Sequence, residues 1–210
     1  MIIVGAGGLG RETAALVEAI NEATSDEPWA LKGFVDDNPD LQDSSILGYP
    51  VLGDVGWLSR QEEIQYVIAV GTPPARRSIA HRLSSSQSSP VRLIHPSVPI
   101  HATMKLGEGC IICSSVSPTV SIRIGDYAIV NLHCTIGHDT VIGDYVTLHP
   151  GVHLSGNTYI ASGAELGTGS VVLPGIRIEE NATVGAGAIV TRDLPADCTA
   201  VGMPAHPLDA

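Results

Sequence analysis

Two periodicities divide the chain. Over the first ninety or so residues, short apolar runs alternate with helical stretches. Ile2–Val4 and residues 31–35 read as strands, and so do residues 66–70, whose Tyr-Val-Ile-Ala-Val suits a strand covered on both faces. Residues 11–23 read as a helix with Ala15, Leu16, Ala19 and Ile20 on one face. Pro73 and Pro74 open another helix through Arg76, Ile79, Ala80 and Leu83, as proline's fixed φ and missing donor favour at a helix start. This order predicts a small parallel sheet with crossovers. The pattern stops at the polar residues 84–90, which read as a surface linker or loop.

From Ile100 a period of six takes over. Every sixth residue from Ile100 to Val190 is Ile, Leu or Val except Pro118, fifteen of sixteen positions. Four residues after each, the side chain is small or apolar, as at Cys110, Val116, Ala128, Ala164 and Ala188. Glycine often follows the aliphatic, at Gly107, Gly125, Gly137, Gly143, Gly167 and Gly185, where it is expected to relieve the backbone at a turn. A period of six is neither helical nor a simple strand alternation. It predicts a parallel β-helix of three-sided coils in which residues 18 apart stack, a little over five coils in all. The expected organisation is therefore α/β over residues 1–95, a small Rossmann-like parallel sheet, and all-β over 96–210, a parallel β-helix with a short C-terminal tail.

Composition narrows the function. Lys+Arg 11 against Asp+Glu 22 gives a net charge of −11, which excludes nucleic-acid binding by bulk charge. With 44% hydrophobic and 16% charged residues the chain is globular. No apolar run approaches the roughly 20 residues of a membrane-spanning helix, and the start, Met1-Ile-Ile-Val-Gly, lacks a basic segment with a cleavage site. A soluble cytoplasmic protein without membrane partners is expected. Cys110 and Cys113 form a C-x-x-C with no second pair, so no metal or redox role is expected of them.

Gly5-Ala-Gly-Gly-Leu-Gly10 follows a strand, precedes a helix and is followed by Asp36-Asp37 after the next strand. In isolation this is a dinucleotide fingerprint, with N–H groups and a helix N-terminus for a pyrophosphate and a carboxylate for ribose hydroxyls. A sugar linked to a nucleoside diphosphate satisfies the same chemistry. The bland reading of residues 36–39, Asp-Asp-Asn-Pro, is an ordinary turn. Of eight histidines, His133, His138, His149 and His153 lie in the central coils. A neutral imidazole there is either a solvated side chain or a general base.

The unbroken aliphatic-Gly-x-x-small-x series resembles the hexapeptide-repeat acyltransferases, which form left-handed β-helices and usually trimerise. More narrowly, the glycine-rich βαβ unit, Asp36-Asp37, the repeat prism and the ending Val201-Gly-Met-Pro-Ala205 resemble the PglD/NeuD-type sugar acetyltransferases. The resemblance implies acetyl transfer from acetyl-CoA, without a metal, to the amine of a nucleotide-linked amino sugar by a homotrimer. It implies His138 as general base and Asp139 as the residue orienting it. It places Gly156, one coil on, as oxyanion donor, with Gly167, Thr168, Gly185 and Ala186 along the CoA and Asn131 near the acceptor. Gly7, Gly8 and Leu9 would approach the nucleotide sugar, with Asp36 and Asp37 at its polar groups and Gly71 and Arg76 assisting. Where relatives carry a second histidine nine residues after the base, this chain has Thr147, with His149 nearby.

Three alternatives compete. An O-acetyltransferase acting on sialic acid or another sugar would use the same base. A γ-type carbonic anhydrase would use the H-x4-H pair His133 and His138, but positions 97 and 102 are Ser and Ala, so a third histidine ligand is missing. A non-catalytic nucleotide-sugar-binding trimer would use the prism for assembly alone.

Overall fold

A computed structural model describes residues 1–24 and 29–208. The chain divides into two compact units, Met1–Pro96 and Ser97–Ala210. In the first, β1 (Ile2–Val4), β2 (Gly33–Val35), β5 (Gln65–Ile68) and β6 (Ser89–Pro90) form a parallel sheet in the order β2-β1-β5-β6. A short antiparallel pair, β3 (Ser45–Ile46) and β4 (Tyr49–Pro50), lies between β2 and β5 in the chain. Ile2, Ile3, Phe34, Val67 and Ile68 are fully buried, which is why the apolar runs show no alternation.

Helix α1 (Gly8–Ala23) begins three residues before its predicted start. Its first turn is made from the glycine loop, and glycine is too poor a helix former to signal one. A Cβ on Gly10 would lie 2.0 Å from the Gly5 carbonyl oxygen, so only glycine fits there. The buried face also differs from the expected one. Gly10, Thr13, Ala14 and Val17 are buried with Leu16, while Ala15 is exposed. That i, i+3, i+4, i+7 stripe is hidden in the sequence because two of its members are not hydrophobic. The Thr13 hydroxyl is buried at no cost in unmet bonds because it donates to the Leu9 carbonyl at 2.8 Å. Helix α2 (Val55–Ser59) has too few residues to show a period, and α3 (Pro73–Leu83) begins at the proline pair, with Arg76, Ala80 and Leu83 buried.

The polar segment 84–90 is not wholly a loop, since β6 closes the sheet edge. It joins through main-chain bonds alone, from Ser89 N–H to Ile64 O at 2.9 Å and Val91 N–H to Tyr66 O at 2.8 Å. Pro90 is tolerated because an edge strand leaves one side unpaired.

The second unit is a parallel β-helix with three faces. Face one stacks pairs such as Thr135–Ile136 on His153–Leu154, face two Val141–Ile142 on Tyr159–Ile160, and face three Ile129–Val130 on Thr147–Leu148. Each register step is the expected 18 residues. The inward aliphatics from Ile112 to Val190 are buried, and each such side chain is worth roughly 1.5–3 kcal/mol. Ile100 stands outside the core, 47% exposed. The helix makes about six turns, more than the repeat count suggested. The last turn is two residues shorter, pairing Thr183 with Thr199 and Val184 with Ala200, so the six-residue period fails there while the coil continues.

The corners are built differently from the sequence expectation. In fourteen consecutive hexads, from Gly109 through Ser115, Tyr127 and Asp139 to Gly187, the residue three after the aliphatic has a positive φ between 54° and 75°. These corner residues are often Asn, Asp, Ser or Tyr. The glycines one residue after the aliphatic have ordinary φ and serve close approach instead. A Cβ on Gly137 would lie 2.4 Å from Gly156 N, and one on Gly167 would lie 2.5 Å from Ala186 N. Coils stack so closely there that no side chain fits between them.

Candidate active site

His138 lies at the corner between faces one and two, where the chain leaves Thr135–Ile136 and turns into Val141–Ile142. Its Nδ1 is 2.8 Å from Asp139 Oδ2. Asp139 occupies the left-handed corner (φ 59°), which a short acidic side chain tolerates, and its N–H donates to Val120 O at 3.1 Å. This conformation lets a carboxylate on the adjacent residue reach the ring. An ionised Asp139 only accepts, so in the neutral imidazole the proton sits on Nδ1 and the lone pair on Nε2.

Nε2 lies over Gly156. A Cβ on Gly156 would be 2.5 Å from Nε2 and 2.7 Å from Cε1, so the imidazole fills the space a side chain would take. The two residues are tied through Asn157 N–H, which donates to His138 O at 2.8 Å.

The Gly156 N–H contrasts with three groups at the corner between faces two and three. There the N–H at the corresponding position is capped from the next coil: Glu108 N–H by Asp126 Oδ1 at 2.8 Å, Asp126 N–H by Asp144 Oδ1 at 2.8 Å, and Asp144 N–H by Ser162 Oγ at 3.2 Å. One coil after Gly156 the stacked residue is Pro174, which has no side-chain acceptor. Among the described residues the Gly156 N–H has no partner, leaving a donor beside a lone-pair nitrogen. That pair of groups can take a proton from a nucleophile and hydrogen-bond a developing oxyanion.

The other prism residues lie elsewhere. Asn131, Gly167-Thr168 and Gly185-Ala186 share the corner between faces three and one, stacked by multiples of 18 residues. Asn131 Oδ1 accepts the Leu132 N–H at 2.7 Å. His149 stands in that column too, with Nε2 2.8 Å from Glu165 Oε1, a second histidine–carboxylate pair with no signal in the hexad pattern. Thr147 is buried at 2% exposure, and His153 Nδ1 faces Thr135 Oγ1 at 2.9 Å. His133 occupies a different corner from His138, and among the described residues no group of three or more His, Cys, Asp or Glu could hold a metal ion. Burial pushes the Cys134 thiol up to about 11, despite hydrogen bonds from nearby main-chain groups.

In the N-terminal unit the ends of β1, β2 and β5 open into a crevice lined by Gly5, Asp36, Asp37 and Val70 among others. Gly7 and Gly8 are exposed at the start of α1, and a Cβ on either, or on Gly71, would meet nothing within 4 Å. Leu9 is half-buried. The two carboxylates have partners in the chain. Asp36 Oδ2 accepts Ala6 N–H at 2.8 Å and Oδ1 accepts Asn38 N–H at 2.9 Å, so Asp36 holds both the glycine loop and its own turn. Asp37 Oδ1 accepts Val55 N–H at 3.0 Å and its carboxylate pairs with Arg82, a residue the sequence pattern did not mark. Arg76 is fully buried, with Nη1 donating to Val70 O at 2.6 Å and Gly71 O at 2.8 Å. It shapes the loop that carries Gly71 and does not reach outward.

The Arg82 guanidinium holds the Asp37 carboxyl below its usual range, helped by the Val55 N–H and opposed by partial burial. Because the folded value lies below the unfolded one, this stabilisation is present above about pH 4 and is lost as pH falls through the folded value. Arg82→Ala is expected to raise the Asp37 pKa and to weaken the loss of stability on acidification. An NMR titration of the aspartate carboxyls, with denaturation curves between about pH 2 and pH 5, checks both.

A three-sided parallel β-helix with a carboxylate-paired imidazole over an uncapped glycine N–H defines a hexapeptide-repeat acyltransferase. The family model of the PglD N-terminal domain matches residues 1–83. The GDP-perosamine N-acetyltransferase of Escherichia coli O157:H7 is 30% identical over 171 residues, 81% of this chain and 76% of that protein. The crystal structure of PerB from Caulobacter crescentus, in complex with CoA and GDP-perosamine, is 30% identical with a TM-score of 0.89 over 99% of this chain and 96% of that one. The acetyltransferase domain of PglB from Neisseria gonorrhoeae, in complex with acetyl coenzyme A, is 31% identical with a TM-score of 0.88 over 99% and 98%. This chain belongs to the PglD-type sugar acetyltransferase family. Among the described residues no helix is long and apolar enough to cross a membrane.

Proposed function

We propose that this chain is a cytoplasmic N-acetyltransferase that moves acetyl from acetyl-CoA to the amine of a nucleotide-linked amino sugar within a ternary complex. The observation that carries the reading is the His138 ring, held by Asp139 with Nε2 over the free Gly156 N–H. The amine nitrogen attacks the thioester carbonyl carbon and the C–S bond breaks. His138 Nε2 takes the amine proton and returns it to the departing CoA sulfur, so the products are the acetamido sugar and free CoA. The Gly156 N–H stabilises the oxygen of the tetrahedral intermediate, a contribution of a few kcal/mol where one such donor acts. The pyrophosphate of the sugar nucleotide rests on the N–H groups of Gly7, Gly8 and Leu9, with its ribose at Asp36 and Asp37. The GDP-perosamine N-acetyltransferase of Escherichia coli O157:H7 and the GDP-perosamine bound to PerB of Caulobacter crescentus support an amine acceptor.

The two occupied corners of the prism support a homotrimer. Base and oxyanion donor lie between faces one and two, whereas Gly167-Thr168, Gly185-Ala186 and Asn131 lie between faces three and one. Packing prisms side by side lets one subunit's base corner meet its neighbour's glycine corner, with CoA in the groove between them. Thiol release from acetyl-CoA, measured against UDP-, GDP- and dTDP-linked amino sugars and free sialic acid, tests the chemistry. Turnover is expected with an amino-sugar nucleotide and not with sialic acid. Turnover with sialic acid alone, or with none of the panel, overturns the reading.

A further inference from the structure

The Gly156 N–H belongs to the peptide that joins Ser155 to Gly156, and the other end of that peptide is held by two threonines. Thr140 Oγ1 donates to the Ser155 carbonyl oxygen at 3.3 Å and Thr158 Oγ1 donates to it at 3.2 Å, with the two hydroxyls 3.0 Å apart. Both side chains are in the prism core, Thr140 at 0% and Thr158 at 1% exposure. Each hydroxyl has a single proton, so when one donates to the other, the second still donates to Ser155 O.

Packing does not require hydroxyls there. Thr140 and Thr158 stand four residues after Ile136 and Leu154, at the small inward position, and the same column holds Ile122 in the coil before and Ile176 in the coil after. In this run of four coils the hydroxyls fall on the two that carry His138 and Gly156. Nor does the fold pair every such hydroxyl, since Ser170 Oγ, at another small inward position, is buried without a partner among the described residues. In other coils the carbonyl one residue after the aliphatic accepts the N–H three residues on, from Ser170 to Gly167 at 3.1 Å and from Ala188 to Gly185 at 3.2 Å. At Ser155 the threonine hydroxyls bond that carbonyl.

The C=O and N–H of a trans peptide point in opposite directions, so drawing Ser155 O toward the core turns the Gly156 N–H away from it. A carbonyl that accepts hydrogen bonds also polarises its amide and strengthens the N–H as a donor. We infer that Thr140 and Thr158 are positioning residues for acyl transfer, whose hydroxyls fix and polarise the one peptide that receives the thioester oxygen. The inference rests on the proposed role of the Gly156 N–H. The two bonds are longer than ordinary hydroxyl bonds and share one acceptor, so together they account for a fraction of what the oxyanion donor contributes.

Steady-state kinetics of thiol release from acetyl-CoA, with the amino-sugar nucleotide that the panel above identifies, tests it. Thr140→Val combined with Thr158→Val is expected to lower kcat about threefold to tenfold while the KM for acetyl-CoA stays within about twofold. Each single substitution leaves one hydroxyl on Ser155 O and should cost less than the pair. Thr140→Ser combined with Thr158→Ser keeps both hydroxyls and deletes two buried methyls, so it should lower the melting temperature and yet retain kcat. Packing alone would reverse that order, with the valine pair near the unsubstituted rate and the serine pair worst. A folded valine pair with unchanged kcat, or a serine pair that loses as much kcat as the valine pair, overturns the inference. His138→Ala in the same assay separates the two levels. If it is slow while the valine pair is not, the site stands and the threonines have no part in it. Unchanged turnover in His138→Ala removes the site reading, and the threonines' role with it.

Discussion

His138→Ala is expected to lower turnover at least about tenfold to a hundredfold with the β-helix intact, since a positioned general base typically contributes that much or more. The side chain is 57% exposed in the single chain and packs against Gly156, so its removal leaves no core cavity and costs little stability. The loss should therefore appear in kcat with acetyl-CoA affinity largely kept. His81→Ala is the control. It removes an exposed imidazole on α3, in the N-terminal unit, and is expected to cost far less turnover. Steady-state kinetics with circular dichroism and acetyl-CoA titration on each variant would decide. Unchanged turnover in His138→Ala, or an equal loss in both, removes His138 from the mechanism.

Gly125→Ala is expected to destabilise the prism by about 2–4 kcal/mol, away from the proposed base. A Cβ at position 125 would lie 2.3 Å from Asp144 Oδ1 and 2.6 Å from Asp144 N. The carboxylate oxygen it displaces is the one capping Asp126 N–H, so the substitution combines a backbone clash with the loss of a cap. Gly169→Ala is the informative comparison. Gly169 has φ 69° but open space around a would-be Cβ, so it should cost only about 1–2 kcal/mol for the left-handed conformation. Urea denaturation of both variants measures the difference. If Gly169→Ala is the more damaging, coil stacking is not what requires the glycines that follow the aliphatics.

Much of the fold was legible because burial repeats. An inward aliphatic at every sixth position predicts the three-sided coil and places 138 against 156, and in the structure the His138 ring lies over Gly156. The failures have a common cause in contacts without a local period. Thr13 and Gly10 belong to the buried face of α1 because of what lies against them, and β6 joins the sheet through main-chain atoms that no side chain advertises. The final coil was missed because its two-residue shortening breaks the count. At the site, Asp139 beside His138 could be read from adjacency. Arg82 could not be linked to Asp37, because pairing across dozens of residues leaves no spacing to detect.

By itself the sequence determined the two architectures, the coil register and the pairing of an imidazole with a glycine one turn on. All of these follow from regular burial and stacking, which impose a period on the residues. Tertiary structure decided which N–H stays uncapped, which carboxylates are engaged inside the chain, and that the prism residues named for catalysis and for CoA stand on separate corners. Those outcomes depend on distances between atoms remote in sequence, where a shift of an ångström separates a hydrogen bond from an open binding group.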